Sequence, residues 1–221
     1  MRTHLDDDSI DLTVTSPPYD NLRSYNGYTF DFESIAQQLY RVTKIGGIVV
    51  WIVGDATIKG SETGTSFKQA LYFKEIGFNL HDTMIYEKST SPFPMHTRCN
   101  QLFEYMFVFS KGNPSTFNPI KIPTITGNIN KKLKDGGYRQ KDGSIRLAKY
   151  ETRKLTKTIG NIWKYSVGGK KQNHPATFPE QLARDHILSW SNEGDTVLDP
   201  MCGSGTTPKV ASDLGRKYIG I

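Results

Sequence analysis

Cysteine is scarce, with Cys99 and Cys202 the only two in 221 residues. Two thiols cannot form a disulfide framework, and such usage fits a reducing compartment, so the chain is expected in the cytoplasm. Long apolar runs are missing too: none approaches the roughly 20 residues that a membrane helix needs. The start carries Asp6, Asp7, Asp8 and Asp11, the opposite of a secretory leader. There is no internal repeat and no low-complexity tract. His4, His81, His96, His174 and His186 never fall at metal-ligand spacing, so no metal is expected and each reads as structural or superficial. What is present is ordinary: 36% hydrophobic and 23% charged residues, with a mean hydropathy of −0.50. That composition excludes disordered, collagen-like and membrane classes and favours one large domain, or a domain with an insertion.

Charge is unevenly spread. The chain carries 28 Lys and Arg against 22 Asp and Glu, a net +6. Between Lys111 and Gly160 there are twelve cations and only three acids, Asp135, Asp142 and Glu151. That segment alone is +9, and the remainder is −3. It is poor in regular periodicity and broken by Gly112-Asn113-Pro114, Asp135-Gly136-Gly137 and Asp142-Gly143, all turn signals. Tyr138 and Tyr150 lie among the cations, a mixture suited to phosphates and base faces. A solvated basic loop would have the same composition.

Elsewhere strands alternate with helices. Asp11–Thr15 reads as a buried strand ended by Ser16-Pro17-Pro18-Tyr19, since two prolines stop both pairing and a helix start. Phe32–Thr43 carries Phe32, Ile35, Leu39 and Val42 at helical spacing, Gly46-Gly47 ends it, and Ile48–Val53 is a continuous strand run. Ser66 can cap a helix through Ile76 with Phe67, Ala70, Leu71 and Phe73 inward and Gly77 as its end. Two strands follow near Asp82–Tyr86 and Tyr105–Phe109. Phe178–Trp190 reads as a helix with Pro179 in its first turn. Thr196–Leu198 is a strand, Gly205–Leu214 a helix and Lys217–Ile221 a last strand. The alternation implies an open, mostly parallel α/β sheet.

In such sheets ligands sit beyond the carboxyl ends of the strands. Two unusual loops fall there. Asp199-Pro200-Met201-Cys202-Gly203-Ser204-Gly205-Thr206-Thr207 joins a strand to a helix. Gly203 and Gly205 permit close backbone approach, and the electropositive helix start favours an anionic group such as the carboxylate of a small cofactor. A Walker loop is excluded because Thr206 follows Gly205, and a dinucleotide fingerprint because Pro208 replaces its third glycine. In Thr15-Ser16-Pro17-Pro18-Tyr19, Ser16 Oγ and the Pro17 carbonyl can accept hydrogen bonds from an exocyclic amine while Tyr19 stacks on its ring. A structural turn remains the alternative for either loop alone.

Thr15-Ser-Pro-Pro-Tyr19 together with Asp199-Pro-x-Cys-Gly-Ser-Gly-Thr206 resembles the amino-group DNA methyltransferases that use S-adenosyl-L-methionine. His174-Pro175-Ala176-Thr177-Phe178-Pro179, followed by Leu182, looks like the segment those enzymes place before the glycine loop. With the catalytic loop first, the basic segment in the middle and the cofactor loop last, the chain is similar to the circularly permuted beta class. The resemblance runs from about Asp8 to Ile221, the variable basic segment excepted. It implies the class I methyltransferase fold, a seven-stranded Rossmann-like sheet with one antiparallel strand. It divides the chain into a catalytic half (1–110), a target-recognition segment (111–160) and a cofactor-binding half (161–221).

Relatives with Ser at the position of Ser16 mostly methylate cytosine N4, whereas those with Asp mostly methylate adenine N6. The resemblance therefore implies a site-specific cytosine-N4 enzyme of a restriction-modification kind, with adenine N6 as the alternative. Carbon-5 chemistry needs a Pro-Cys pair, but Arg98 precedes Cys99 and Met201 precedes Cys202. Ser16, Pro17, Pro18 and Tyr19 are the implied catalytic group. Thr15, His174, Pro175, Phe178, Asp199, Pro200, Cys202, Gly203, Ser204, Gly205 and Thr206 are the implied cofactor set. DNA contacts are expected from Lys131, Lys132, Lys134, Arg139, Lys141, Arg146, Lys149, Arg153 and Lys154, with Arg139, Gln140, Arg146 or Arg153 able to read bases. A base buried in a duplex must be flipped to be reached. The family's ribose-binding acid follows the strand equivalent to Lys217–Ile221, and a Gly-Asp element precedes the position of Ser9. Neither lies within these 221 residues, so a trimmed chain, or a relative that binds DNA with impaired catalysis, is a further expectation. Asp55 either faces the cofactor or starts a turn. Arg98 and Asn100 either touch DNA or hold their loop. Trp51 and Trp190 read as core, and Trp163 as packing on the cofactor segment. Monomer and homodimer are both compatible with the sequence.

Overall fold

The computed structural model describes residues 5–18, 30–89, 98–124, 136–148, 155–166 and 179–221. The chain forms two compact units, Met1–Asn118 with Gly160–Ile221, and Pro119–Ile159.

The larger unit opens with β1 (Ile10–Thr15), α1 (Phe32–Val42) and β2 (Thr43–Val53), followed by the short strands β3 (Thr57–Ile58) and β4 (Ser61–Glu62). Next come α2 (Thr65–Glu75), β5 (Asn79–Lys88) and β6 (Phe103–Ser110). The smaller unit contributes β7 (Lys121–Pro123), β8 (Gly136–Arg139), β9 (Ile145–Ala148) and β10 (Thr156–Thr158). The chain then returns to the larger unit with β11 (Ile162–Tyr165), α3 (Glu180–Trp190), β12 (Thr196–Asp199), α4 (Thr206–Asp213) and β13 (Lys217–Gly220).

Seven strands form one sheet in the order β11-β5-β6-β2-β1-β12-β13. Only β6 runs antiparallel to its neighbours, so the paired strands near Asp82 and Tyr105 supply the expected reversal. β1 and β2 are buried on both faces; β2 shows it as the unbroken apolar run Ile48–Val53, whereas β1 alternates apolar and polar residues and buries Thr13 and Thr15 all the same. On one side Val49, Trp51 and Val53 of β2 pack with Ala36, Leu39, Ala70, Phe73 and Phe109. Phe73 stacks on Phe109 at 4.5 Å and meets Trp51 edge-on at 5.1 Å. A side chain of this size, fully buried, contributes on the order of 3 kcal/mol. α3 packs with α4, and α1 with α2.

Four local readings are corrected. The first helix is found as Phe32–Val42, one residue short of the expected Thr43, but Gly46-Gly47 is not its stop: Thr43 turns its hydroxyl back on Leu39 O at 2.6 Å and already begins β2. Gly46 lies within the strand at φ +84°, where a Cβ would come within 2.9 Å of Ser115 Cβ, so glycine serves there as a close-approach site. In α2 the inward face is Ser66, Gln69, Ala70 and Phe73, while Phe67 is 51% and Leu71 65% exposed. Polar partners decide that rotation, because Gln69 accepts from Trp51 Nε1 at 2.8 Å and Ser66 bonds Asp55. Gly64, not Ser66, stands at the helix N-cap. Pro179 is the N-cap of α3 rather than a residue of its first turn, and Phe178 lies outside the described residues. Trp51 and Trp190 are both buried. No described helix is long and apolar enough to cross a membrane.

Lys111, counted with the basic segment by charge, is anchored in the larger unit. Its ammonium donates to Asp8 at 2.7 Å and to Tyr40 O at 2.8 Å. The smaller unit is framed by β7 paired with β10, and β8 pairs with β9 as a separate hairpin.

Candidate active site

The sheet reverses its winding between β1 and β12. From β1 the chain crosses to β2 on one side, and from β12 to β13 on the other. At such a switch point the following loops diverge and leave a crevice beyond the strand ends. Both unusual loops sit at this place, one leaving β1 after Thr15 and the other leaving β12 after Asp199.

The two strand ends are tied together. Leu12 pairs with Val197 and Thr13 with Leu198 in the parallel ladder. Beyond it the Thr15 hydroxyl donates to Asp199 Oδ1 at 2.7 Å, and the same oxygen accepts from the Met201 amide at 3.1 Å. Thr15 is fully buried and Asp199 is 2% exposed. Burial pushes the Asp199 carboxyl above the usual carboxylate range, opposed by the donors from Thr15 and Met201. Thr207 at the start of α4 donates to Val14 O at 3.1 Å, a second tie between the loops. Thr15 and Asp199 therefore hold the site together from below, whereas Ser16 and the glycine loop form its rim.

That rim is built for backbone approach. Gly203 and Gly205 have φ +46° and +80°, and a Cβ on Gly205 would meet nothing within 4 Å. Gly205 bonds back to Cys202 O at 2.7 Å and caps α4, whose first amides point outward with the positive end of the helix dipole. Pro208 falls in the first helical turn, where a missing N–H costs nothing. Gly220 of β13 lets the loop lie close, since a Cβ there would come within 3.1 Å of Cys202 Sγ and Pro208. Burial, followed by the Asp199 charge, pushes the Cys202 thiol up, so it is a packing thiol rather than a nucleophile. Open backbone donors, small residues and an uncharged rim fit a small zwitterionic cofactor carrying a carboxylate.

Several expected site residues have other duties or fall elsewhere. Asp55 accepts from the Ser66 amide at 2.9 Å, from the Ser66 hydroxyl and from Thr63, so it caps α2 from a distance. Arg98 donates to Thr57 at 3.1 Å and to Gly60 O, clipping the β3–β4 turn. Trp163 lies on β11, bonded to Gly160 O at 2.8 Å and packed at a tilt on His186 with ring centroids 4.7 Å apart. Tyr19, His174, Pro175 and Phe178 lie outside the described residues, as do Lys131, Lys132, Lys134, Lys149, Arg153 and Lys154. Among the expected DNA contacts, Arg139, Lys141 and Arg146 are placed, exposed on the β8–β9 hairpin. Among the described residues no His, Cys, Asp and Glu cluster could hold a metal ion. The sequence did not disclose the Thr15–Asp199 bond. Its only signal was that a polar residue stands at the end of each of two strands, Thr15 in β1 and Asp199 in β12.

Comparison with known proteins agrees with this geometry. A family described as DNA methylase, of the N6/N4 kind, matches residues 10–221. The orphan methyltransferase M.BamHII of Bacillus amyloliquefaciens is 57% identical over 230 residues, an alignment covering 100% of this chain and 86% of that protein. The DNA adenine methyltransferase YhdJ of Escherichia coli is 46% identical over 69 residues, 29% of this chain and 24% of that protein. Among solved structures, a PvuII DNA methyltransferase described as cytosine-N4-specific superposes with a TM-score of 0.67 at 21% identity, covering 98% of this chain and 76% of that one. M1.HpyAVI in complex with SAM gives 0.62 at 22%, covering 96% and 82%. The sheet is thus the class I methyltransferase sheet. The chain belongs to the N6/N4 DNA methylase family.

Proposed function

We propose that this protein is a site-specific DNA methyltransferase that uses S-adenosyl-L-methionine to methylate the exocyclic N4 of cytosine. The observation that carries the reading is the Thr15–Asp199 bond, which brings the Ser16-Pro17 loop and the Gly203–Gly205 loop to one crevice. The cytosine assignment rests on Ser16 and is in keeping with the cytosine-N4 specificity of the PvuII enzyme.

The cofactor, when bound, supplies an activated methyl on a sulfonium. An exocyclic amine is a poor nucleophile because its lone pair is conjugated with the ring. Ser16 Oγ and the Pro17 carbonyl would accept hydrogen bonds from its two N–H groups and favour a pyramidal nitrogen with its lone pair in line with that methyl. The new N–C bond would replace the methyl–sulfur bond, leaving a neutral thioether, and the nitrogen would release one proton to solvent. No covalent enzyme intermediate is needed, and positioning with fixed dipoles carries the rate. Tyr19 stacks on the flipped base and offsets an unstacking cost of a few kcal/mol. Gly203, Ser204 and Gly205 would hold the cofactor with Thr206 at the helix start, while Thr15 and Asp199 would act as positioning residues. The smaller unit supplies phosphate contacts.

The test is transfer of a tritiated methyl group to DNA, followed by nucleoside analysis. N4-methylcytosine is expected. A second reading, adenine N6, is favoured by the stretch shared with YhdJ, and N6-methyladenine as the only product would establish it instead. No labelled DNA at saturating cofactor would overturn both.

A further inference from the structure

We propose that the β8–β9 hairpin reads base sequence, with Arg146 and Gln140 as specificity-determining residues on one face and Arg139 as a phosphate contact on the other. The proposal rests on the chain acting on DNA, but not on which base it methylates.

The hairpin is a two-stranded antiparallel ribbon in which Tyr138 faces Arg146 and Arg139 faces Ile145. Such a ribbon is narrow enough for the major groove, about 12 Å wide. Its tip is fixed by its own bonds. Gln140 N donates to Ser144 O at 2.7 Å and Gly143 N to Gln140 O at 3.0 Å, with Gly143 at φ +86°. This is a three-residue loop with a left-handed third position, which sets the register of the strands. Asp142, the single acid between Gly136 and Ala148, accepts the Ser144 amide at 2.9 Å and the Ser144 hydroxyl at 2.7 Å. Those donors hold its carboxyl below the usual range. The one negative group is therefore occupied within the loop, beside three cations, Arg139, Lys141 and Arg146.

The pleat then sorts the side chains. Residues directly opposite share a face, and neighbours along a strand alternate. Arg146 shares its face with Gln140, and Ser144 beside them has its hydroxyl committed to Asp142, so Arg146 and Gln140 are the pair this face offers to a base. Arg139 shares the other face with Ile145, which is 67% exposed and offers it no polar companion. Arg139 and Arg146 are both exposed, and neither forms an ion pair among the described residues. Arg pairs bidentately with guanine and Gln with adenine in the major groove. Gln140 and Arg146 are diagonal neighbours, about 7 to 8 Å apart for such pairs. With bases rising about 3.4 Å along a strand, that distance spans two base-pair steps. The ribbon is thus suited to a guanine and an adenine close together in the recognition sequence.

The experiment is selection of bound duplexes from a random-sequence pool by the full-length wild type and by R146A, Q140A and R139A, at two salt concentrations and without cofactor. The wild type should enrich one motif. R146A should lose its preference at a single guanine by about 5- to 150-fold, the range one bidentate pair confers. Q140A should lose preference at an adenine within two steps of it. R139A should retain the motif, bind all sequences more weakly and lower the salt slope by about 1. The same motif from R146A and wild type, a changed motif from R139A, or no motif from the wild type would overturn the proposal. Because binding alone is read, failure of methyl transfer would strike the catalytic reading and leave this result standing.

Discussion

Thr15 donates its hydroxyl proton to the Asp199 carboxylate at 2.7 Å, joining the ends of two adjacent parallel strands that are 184 positions apart in the chain. Neither side chain has water as an alternative partner, since both are buried. A Thr15→Val exchange keeps the β-branched shape but leaves a buried carboxylate short of a donor. We expect it to cost about 1–3 kcal/mol in denaturant unfolding. It should also raise the KM for S-adenosyl-L-methionine more than it lowers kcat, because the glycine loop loses an anchor while Ser16 is retained. A Thr15→Ser variant, which keeps the donor, should recover most of both losses.

The alternation of elements and the position of both loops were legible in the sequence because they rest on local signals. An unbroken apolar run marks β2, and prolines and glycines mark the strand ends. The rotation of α2 was not legible in that way. Phe67 and Leu71 are the more apolar choices for an inward face, yet Ser66 and Gln69 take it because Asp55 and Trp51 provide polar partners there. Partners supplied by distant strands leave no periodicity to read. The same holds for β11, a four-residue edge strand that earns its place only by pairing with Ile85–Lys88 of β5.

Asp55 therefore has a structural consequence that can be measured. It supplies the acceptor for the second amide of α2, a helix without a side-chain cap of its own. Asp55→Ala should cost about 1–2 kcal/mol, the range of a lost cap. Asp55→Asn, which preserves one acceptor, should cost less. Thermal unfolding of the two variants would show it, and equal losses would mean that charge rather than hydrogen bonding is what α2 requires.

Ser16 is the sharpest catalytic test. Ser16→Ala removes one acceptor from the proposed amine site while leaving the Thr15–Asp199 tie intact. Methyl transfer should fall by about 10²–10³, the range seen for a single preorganised hydrogen-bonding group. Affinity for DNA, assigned in the proposed function to phosphate contacts in the smaller unit, should change little. Tyr19→Ala should behave alike, with transfer lost and binding retained. If DNA binding collapses in either variant, the division between catalytic loop and basic unit is wrong.

His186 gives the fold a pH dependence of predictable sign. It is fully buried on α3, packed against Trp163, with Nε2 3.2 Å from Met106 Sδ and Nδ1 without a partner among the described residues. Burial in this apolar setting disfavours the imidazolium and lowers its pKa from 6.5 to about 3. In the unfolded chain the ring regains its ordinary pKa, so between about pH 3 and 6.5 the unfolded state binds more protons than the folded one. Stability then rises with pH across that window. It is fully present above about 6.5 and is lost as the pH falls, by at most about 1.4 kcal/mol per pH unit from this group. His186→Phe has no proton to take up, so its unfolding free energy, followed by denaturant titration from pH 7.5 to 4.5, should fall less steeply than that of the wild type. Parallel curves for the two proteins would place the acid sensitivity in other groups and show that the buried ring is not what sets it.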